Sequence, residues 1–177
     1  KIGFPAYEMA PCDPRVFGQT SDTACLVVCA WDQDPFFRLV RDCATSLGFK
    51  KPSILHLNYL PALNGEEKMS SVPEAHEDKD KHVNTVIWLT DGPKDIERKI
   101  KRHAYSGGAA TKELQARDGA NVEVDVACKY LRFFMSDTKE LNDHIERYRT
   151  GLIGSGDIKT ICAKTISELL APYRLML

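Results

Sequence analysis

Lys68, Met69, Ser70 and Ser71 stand side by side in a polar stretch of this 177-residue chain. An ammonium next to two hydroxyls can meet the oxygens of a phosphate chain, while Met69 can pin such a loop to an apolar floor. In another setting the same tetrapeptide is a solvated loop with an exposed lysine. A second polar group lies upstream, where Trp31-Asp32-Gln33-Asp34 follows the apolar run ACLVVCA. Carboxylate and amide side chains there can hold hydroxyl or amino groups. Without further context Asp32 is an ordinary loop carboxylate.

The elements that must position these groups are legible in the pattern. Ala24 to Ala30 is short, apolar and rich in β-formers, which suits a strand covered on both faces of a parallel sheet. Asp34 is expected as an N-cap and Pro35 as the first residue of a helix. Phe36, Leu39, Val40, Cys43 and Leu47 then mark one face, and Gly48 stops the helix. Ser53 to Leu57 reads as a second strand. Strand, helix and strand make a βαβ unit, and ligands of such sheets bind beyond the carboxyl ends of the strands. The Asp32-Gln33 turn and the Lys68 loop both leave such ends.

From Val72 to Asn84 the chain reads as a charged surface loop, and Thr85 to Thr90 as a short strand or an ordered return segment. Helices follow. Lys94 to Ala104 places Ile96, Ile100 and Ala104 on one stripe. Lys94, Arg98, Lys101 and Arg102 lie on the others, as a phosphate-binding face or as a solvated one balanced by Asp95 and Glu97. Glu123 to Met135 is apolar nearly all round, as in the centre of a small bundle. Asp137 and Glu140 form a capping box before Leu141, Ile145 and Tyr148. Gly151 and Gly154 interrupt the pattern, and a last helix from Ile158 to Leu170 is expected to end at Pro172. The change from alternating elements to helices alone falls near residue 104, with Gly107 and Gly108 at the junction.

Composition excludes several classes. A formal net charge of -1 rules out a globally basic body, so any nucleic-acid contact must use a local patch. No apolar run reaches the roughly 20 residues that span a bilayer, and Lys1 to Pro5 lacks the pattern of a signal peptide. Cys25, Cys29, Cys43, Cys128 and Cys162 fall within apolar runs, as small hydrophobes of a reducing compartment do. The five histidines are scattered and no Cys-x-x-Cys pair occurs, so no metal site is expected.

Several blocks together resemble the class I aminoacyl-tRNA synthetases, and among them the eukaryotic-type tryptophanyl-tRNA synthetases. They are Lys1-Ile2-Gly3-Phe4-Pro5-Ala6, the run from Cys29 to Arg38, Lys68-Met69-Ser70-Ser71, and His103 to Gly108. Val124-Asp125-Val126, Tyr130-Leu131, Phe133-Phe134 and Tyr148 to Gly151 continue the likeness in family order. The resemblance implies an α/β fold: the C-terminal half of a Rossmann-type catalytic domain (residues 1–103) and an all-α anticodon-binding bundle (104–177). It implies activation of tryptophan with ATP and Mg2+ and its transfer to tRNA(Trp), in a cytoplasmic homodimer.

The site residues follow from the same resemblance. Lys68, Ser70 and Ser71 would act on the phosphates. Asp32, Gln33 and Met69 would complete the ATP site. Phe4, Pro5, Glu8, Cys29 and Gln33 would receive tryptophan, although Cys29 reads equally as core. Tyr105, Lys94, Arg98 and Arg102 would meet tRNA. This chain departs from the family pattern at Glu8, where Gln is common, and at Val72, where the loop motif usually has Ser. It departs again at Ala109 and Ala110, where Arg and Asp are frequent. The family's His-x-Gly-His motif belongs upstream of Lys1, so the chain reads as a C-terminal part. A non-catalytic RNA- or protein-binding fragment, a tyrosyl-tRNA synthetase and a generic nucleotide-binding α/β domain are the competing readings.

Overall fold

The computed structural model describes residues 3–65, 69 and 84–175, and the chain divides into two compact units, Lys1–Tyr59 and Leu60–Leu177. Together they make a mixed α/β protein with a small parallel sheet. In the first unit a short helix α1 (Phe4–Met9) and two 3-10 turns precede strand β1 (Leu26–Ala30). A 3-10 turn at Trp31–Gln33 leads directly into helix α2 (Asp34–Leu47), and strand β2 (Ser53–Leu57) follows. β1 and β2 pair in parallel, with Leu26 opposite Ser53 and Ala30 opposite Leu57. The expected βαβ unit is present.

Gly48 ends α2 in the left-handed conformation at φ 80°, and the Phe49 amide returns to the Ala44 carbonyl at 3.0 Å. That is the usual glycine stop. Three details differ from expectation. The buried face of α2 is Phe37, Val40 and Ala44, packed with Val27, Cys29 and Ile54. The stripe read from sequence is its neighbour: Cys43 is exposed, as are Leu39 and Leu47. α2 carries two adjacent apolar stripes, and only one meets the sheet. Asp34 is not a cap, because the preceding 3-10 turn makes it the first helical residue, with Gln33 before it. Nor is the sheet covered on both faces among the described residues. Alternation sends Val27, Cys29 and Ile54 toward α2, and leaves Leu26, Val28, Leu55 and Leu57 exposed on the other side.

The second unit is helical: α3 (Pro93–His103), α4 (Lys112–Asp118), α5 (Val126–Phe134), α6 (Thr138–Arg149) and α7 (Ser155–Arg174). Its core joins Leu63, Ile96, Ile100 and Ala104 to Val126, Leu131, Tyr148, Ile158 and Ile166. Thus Leu60, Leu63, Ile87, Ile96 and Ile100 pack with the later helices. Thr85 to Thr90 is no strand but the ordered return segment, tied to Leu63 through its amide and the Thr85 carbonyl at 2.9 Å. α5 begins three residues later than expected, because Asp125 caps it by accepting from the Cys128 amide at 3.1 Å. Asp137 caps α6 at the amides of Lys139 and Glu140, while the Glu140 carboxylate leans toward His144 instead of closing a box. Pro172 does not end α7, which runs two residues further to Arg174. The Arg174 guanidinium donates to the Ser167 and Asp91 carbonyls and holds that last turn.

Lys99 is the buried cation of this unit, 2% exposed. Its Nζ donates to Asp91 Oδ2 at 2.6 Å and to the Val86 carbonyl at 2.9 Å. Asp91 Oδ2 also accepts from the Trp88 amide at 2.9 Å. The pair ties the return segment to α3. Breaking a closed ion pair from one side strands the other charge. Lys99→Met is expected to lower stability by about 3 kcal/mol, seen as a lower urea midpoint at unchanged slope.

Candidate functional site

At the carboxyl ends of β1 and β2 polar groups arrive from five elements. α1 supplies Glu8, β1 supplies Cys29, the following turn Asp32 and Gln33, and α2 opens with Asp34. From β2 comes His56, directly opposite Cys29 in the register. Asp34 Oδ1 lies 2.8 Å from His56 Nε2, and the same carboxylate forms an ion pair with Arg38. Gln33 Nε2 donates to Asp32 Oδ2 at 3.0 Å. Glu8 Oε2 is closed from solvent and has no hydrogen-bond partner among the described residues. Burial pushes the Cys29 thiol up, and the carboxylates of Asp34, Asp32 and Glu8 push it further. All three carboxylates lie close enough to Cys29 to act on its thiol. The cluster suits a ligand that brings hydroxyls or a positive charge.

Phe4 and Pro5 open α1, and the Phe4 ring meets Phe36 edge-on at 6.4 Å while remaining half-exposed. Trp31 stacks on Tyr59 at 5.7 Å. The structure thus brings Glu8, Cys29, Asp32 and Gln33 near one another, while the Phe4 ring lies against Phe36. His56 was not singled out in the sequence. Its signal is positional, since the residue next to the end of a parallel strand faces the same edge as the turn after its neighbour.

In the second unit Lys68, Ser70 and Ser71 lie outside the described residues, as does Val72. Met69 is described. Its amide donates to the Leu60 carbonyl at 2.7 Å, and its side chain packs on the main core. An apolar floor for that residue exists.

Tyr105 follows α3 with its ring 53% exposed and its backbone held on both sides. Its amide donates to the Leu63 carbonyl at 2.7 Å, and its own carbonyl accepts from the Val126 amide at 3.1 Å. On α3, Arg98 reaches Asn84 Oδ1 at 3.1 Å and Asp95 at 3.6 Å, and Lys101 pairs with Glu97. Lys94 and Arg102 are exposed and form no ion pair among the described residues. Burial, then Arg98, Arg102 and Lys99, hold the His103 imidazole below its ordinary range. The end of α3 is thus partly neutralised but retains a positive field. Among the described residues no group of three or more His, Cys, Asp and Glu is placed to hold a metal.

Comparison with known proteins places this geometry. Residues 20–171 match the family model of tRNA synthetases class I (W and Y). The chain is 40% identical over 179 residues to the cytoplasmic tryptophan–tRNA ligase of Schizosaccharomyces pombe, covering 98% of this chain and 43% of that protein. A tryptophanyl-tRNA synthetase structure from Encephalitozoon cuniculi, bound to tryptophan, superposes with TM-score 0.78 at 39% identity. It covers 98% of this chain and 44% of the other. A tyrosyl-tRNA synthetase from Aeropyrum pernix matches at TM-score 0.68 and 21% identity over 97% of this chain and 47% of its own, which shows the fold alone. The chain spans less than half the length of the curated relatives it matches.

The acid cluster makes a chemical forecast. Iodoacetamide should modify the exposed Cys43 well before Cys29. Asp34→Asn removes the strongest of the three repelling charges, so it should speed Cys29 labelling severalfold. Timed mass spectrometry of the two peptides reads both rates.

Proposed function

This chain belongs to the class I tRNA synthetases (W and Y), and from that premise we propose that it is part of a tryptophan–tRNA ligase. The observation that carries the proposal is the convergence of Glu8, Cys29, Asp32 and Gln33 beyond the carboxyl ends of a parallel βαβ unit, where such sheets bind ligands. Tryptophan attacks the α-phosphorus of ATP through a carboxylate oxygen, pyrophosphate departs, and the aminoacyl group then passes to the terminal ribose of tRNA(Trp). No covalent enzyme intermediate is involved, so positioning and charge neutralisation do the work.

In this reading Phe4 and Pro5 face the indole, and Glu8, Cys29 and Gln33 line the amino-acid side of the pocket. Glu8 in place of the common Gln gives the substrate ammonium a carboxylate to pair with. Asp32 and Gln33 receive the ribose. Lys68, Ser70 and Ser71 meet the phosphates, with Met69 as the anchor of their loop. Mg2+ carried with ATP would offset phosphate charge; no protein ligand for it is assigned. Residues 1–103 serve catalysis as the second half of a Rossmann-type domain, and residues 104–177 form the anticodon-binding helices. Tyr105 stacks on RNA while Lys94, Arg98 and Arg102 contact phosphates. A cytoplasmic location follows the named location of the relatives, and a homodimer follows the family resemblance.

The tyrosine alternative is the weaker, because the tyrosyl-tRNA synthetase likeness is one of fold. A non-catalytic RNA- or protein-binding role has one observation in its favour, Ala109 and Ala110 beside Tyr105. Lys68→Ala in the complete protein separates catalysis from binding. Tryptophan-dependent ATP–pyrophosphate exchange is expected to fall at least about a hundredfold. Unchanged exchange removes Lys68 from the mechanism and favours the binding role.

A further inference from the structure

The turn from Tyr105 to Ala109 carries two glycines and looks, by composition, like a cradle for phosphate. The amides of Tyr105, Gly107, Gly108 and Ala109 are already engaged. The Tyr105 amide donates to the Leu63 carbonyl, and the Gly107 amide to Asp125 Oδ2 at 2.9 Å. Gly108 donates to Ser106 Oγ at 3.3 Å, and Ala109 to Gln115 Oε1 at 2.8 Å. On the acceptor side the Gly107 carbonyl receives the Asn121 amide at 2.8 Å. The turn is fastened from below by buried side chains.

Those side chains form one network. Asp125 is fully closed from solvent and Gln115 is 6% exposed. Tyr148 Oη donates to Asp125 Oδ2 at 3.0 Å and lies 3.2 Å from both Ser106 Oγ and Ser155 Oγ. Gln115 Nε2 reaches the Tyr148 carbonyl at 3.4 Å. Gly107 is compelled, since a Cβ there would overlap the Asn121 carbonyl, and one on Gly108 would displace the Ser155 hydroxyl. What remains outward is the Tyr105 ring.

We propose that Asp125 and Gln115 are positioning residues for RNA. By consuming the amides of Gly107 and Ala109 they preset a rigid ledge from which Tyr105 offers its ring to an unpaired base. The ledge recognises a base face by stacking, with the amides of its two glycines and of Ala109 already spent within the protein. This rests on the RNA-binding reading of Tyr105 given above. Preorganisation matters because a ring held in place loses little freedom on binding.

The test is a double-mutant cycle in aminoacylation by the complete protein, with the KM for tRNA as readout. Tyr105→Ala should raise that KM about tenfold, the scale of one lost stacking contact. Gln115→Met should raise it less, and Tyr148→Phe offers a second, milder loosening of the same ledge. Combined with Tyr105→Ala, neither should add anything, because an ordered ledge has no value once its ring is gone. The salt dependence of tRNA binding should keep its slope in all three, whereas Arg102→Ala lowers it. Melting curves and tRNA-free pyrophosphate exchange report folding separately. If Tyr105→Ala leaves the tRNA KM unchanged, the RNA reading of this turn fails and the proposal with it. If Tyr105→Ala acts but the second changes multiply with it, the ledge proposal alone is overturned.

Discussion

Asp125 sits at the meeting point of three demands. Its Oδ1 closes the first turn of α5 at the Cys128 amide, and its Oδ2 holds both the Gly107 amide and the Tyr148 hydroxyl. A carboxylate with no solvent contact is unfavourable unless donors surround it, and here the amino end of a helix and two N–H or O–H groups do so. Burial pushes the Tyr148 phenol up to about 12, so it stays a donor throughout the neutral range. The path of the Ser106–Ala109 turn, the start of α5 and the approach of α6 thus share one anchor. Lys159 closes the same region from the other side by donating to the Ala104 carbonyl at 2.6 Å.

Asp91 and Lys99 play a comparable part before α3. Lys99 holds the return segment at the Val86 carbonyl, and the adjacent Thr85 carbonyl accepts from the Leu63 amide, while the Leu63 carbonyl accepts from Tyr105. Two buried polar nodes, one before α3 and one after it, therefore define where that helix starts and where its end delivers Tyr105. Apolar burial supplies the bulk of the stability, while these nodes select one arrangement of the loops.

Much of this was legible in the residues. ACLVVCA and SILHL are short runs of β-formers, and the glycine after Leu47 has a single use at that point, so the βαβ unit could be read directly. The Asp34 cap could not, because local preference places Asp before Pro as a cap, whereas the 3-10 turn had already begun the helical path. The choice between two apolar stripes on α2 depends on how the helix rolls onto the sheet, a tertiary fact. Asp125 reads as one more charge in a helical pattern, since its partners lie 18 and 23 positions away. His56 was invisible for a similar reason, being defined by the neighbouring strand. At Pro172 the expectation failed because a guanidinium two residues on secures the last turn. Glu8, Asp32 and Gln33 were found through resemblance, while Asp34 read only as a cap, and their arrangement became visible only with the register of the strands.

The two-stranded sheet has a further consequence. One side of it is dressed by α2, while Leu26, Val28, Leu55 and Leu57 stand open on the other. Beside β1 a groove lined by Pro11, Pro14 and Phe17 extends that apolar surface toward the strand's outer edge. Two strands do not make a self-sufficient sheet. A polypeptide bearing only these residues would expose a greasy plane bordered by unpaired backbone, the combination that recruits foreign strands.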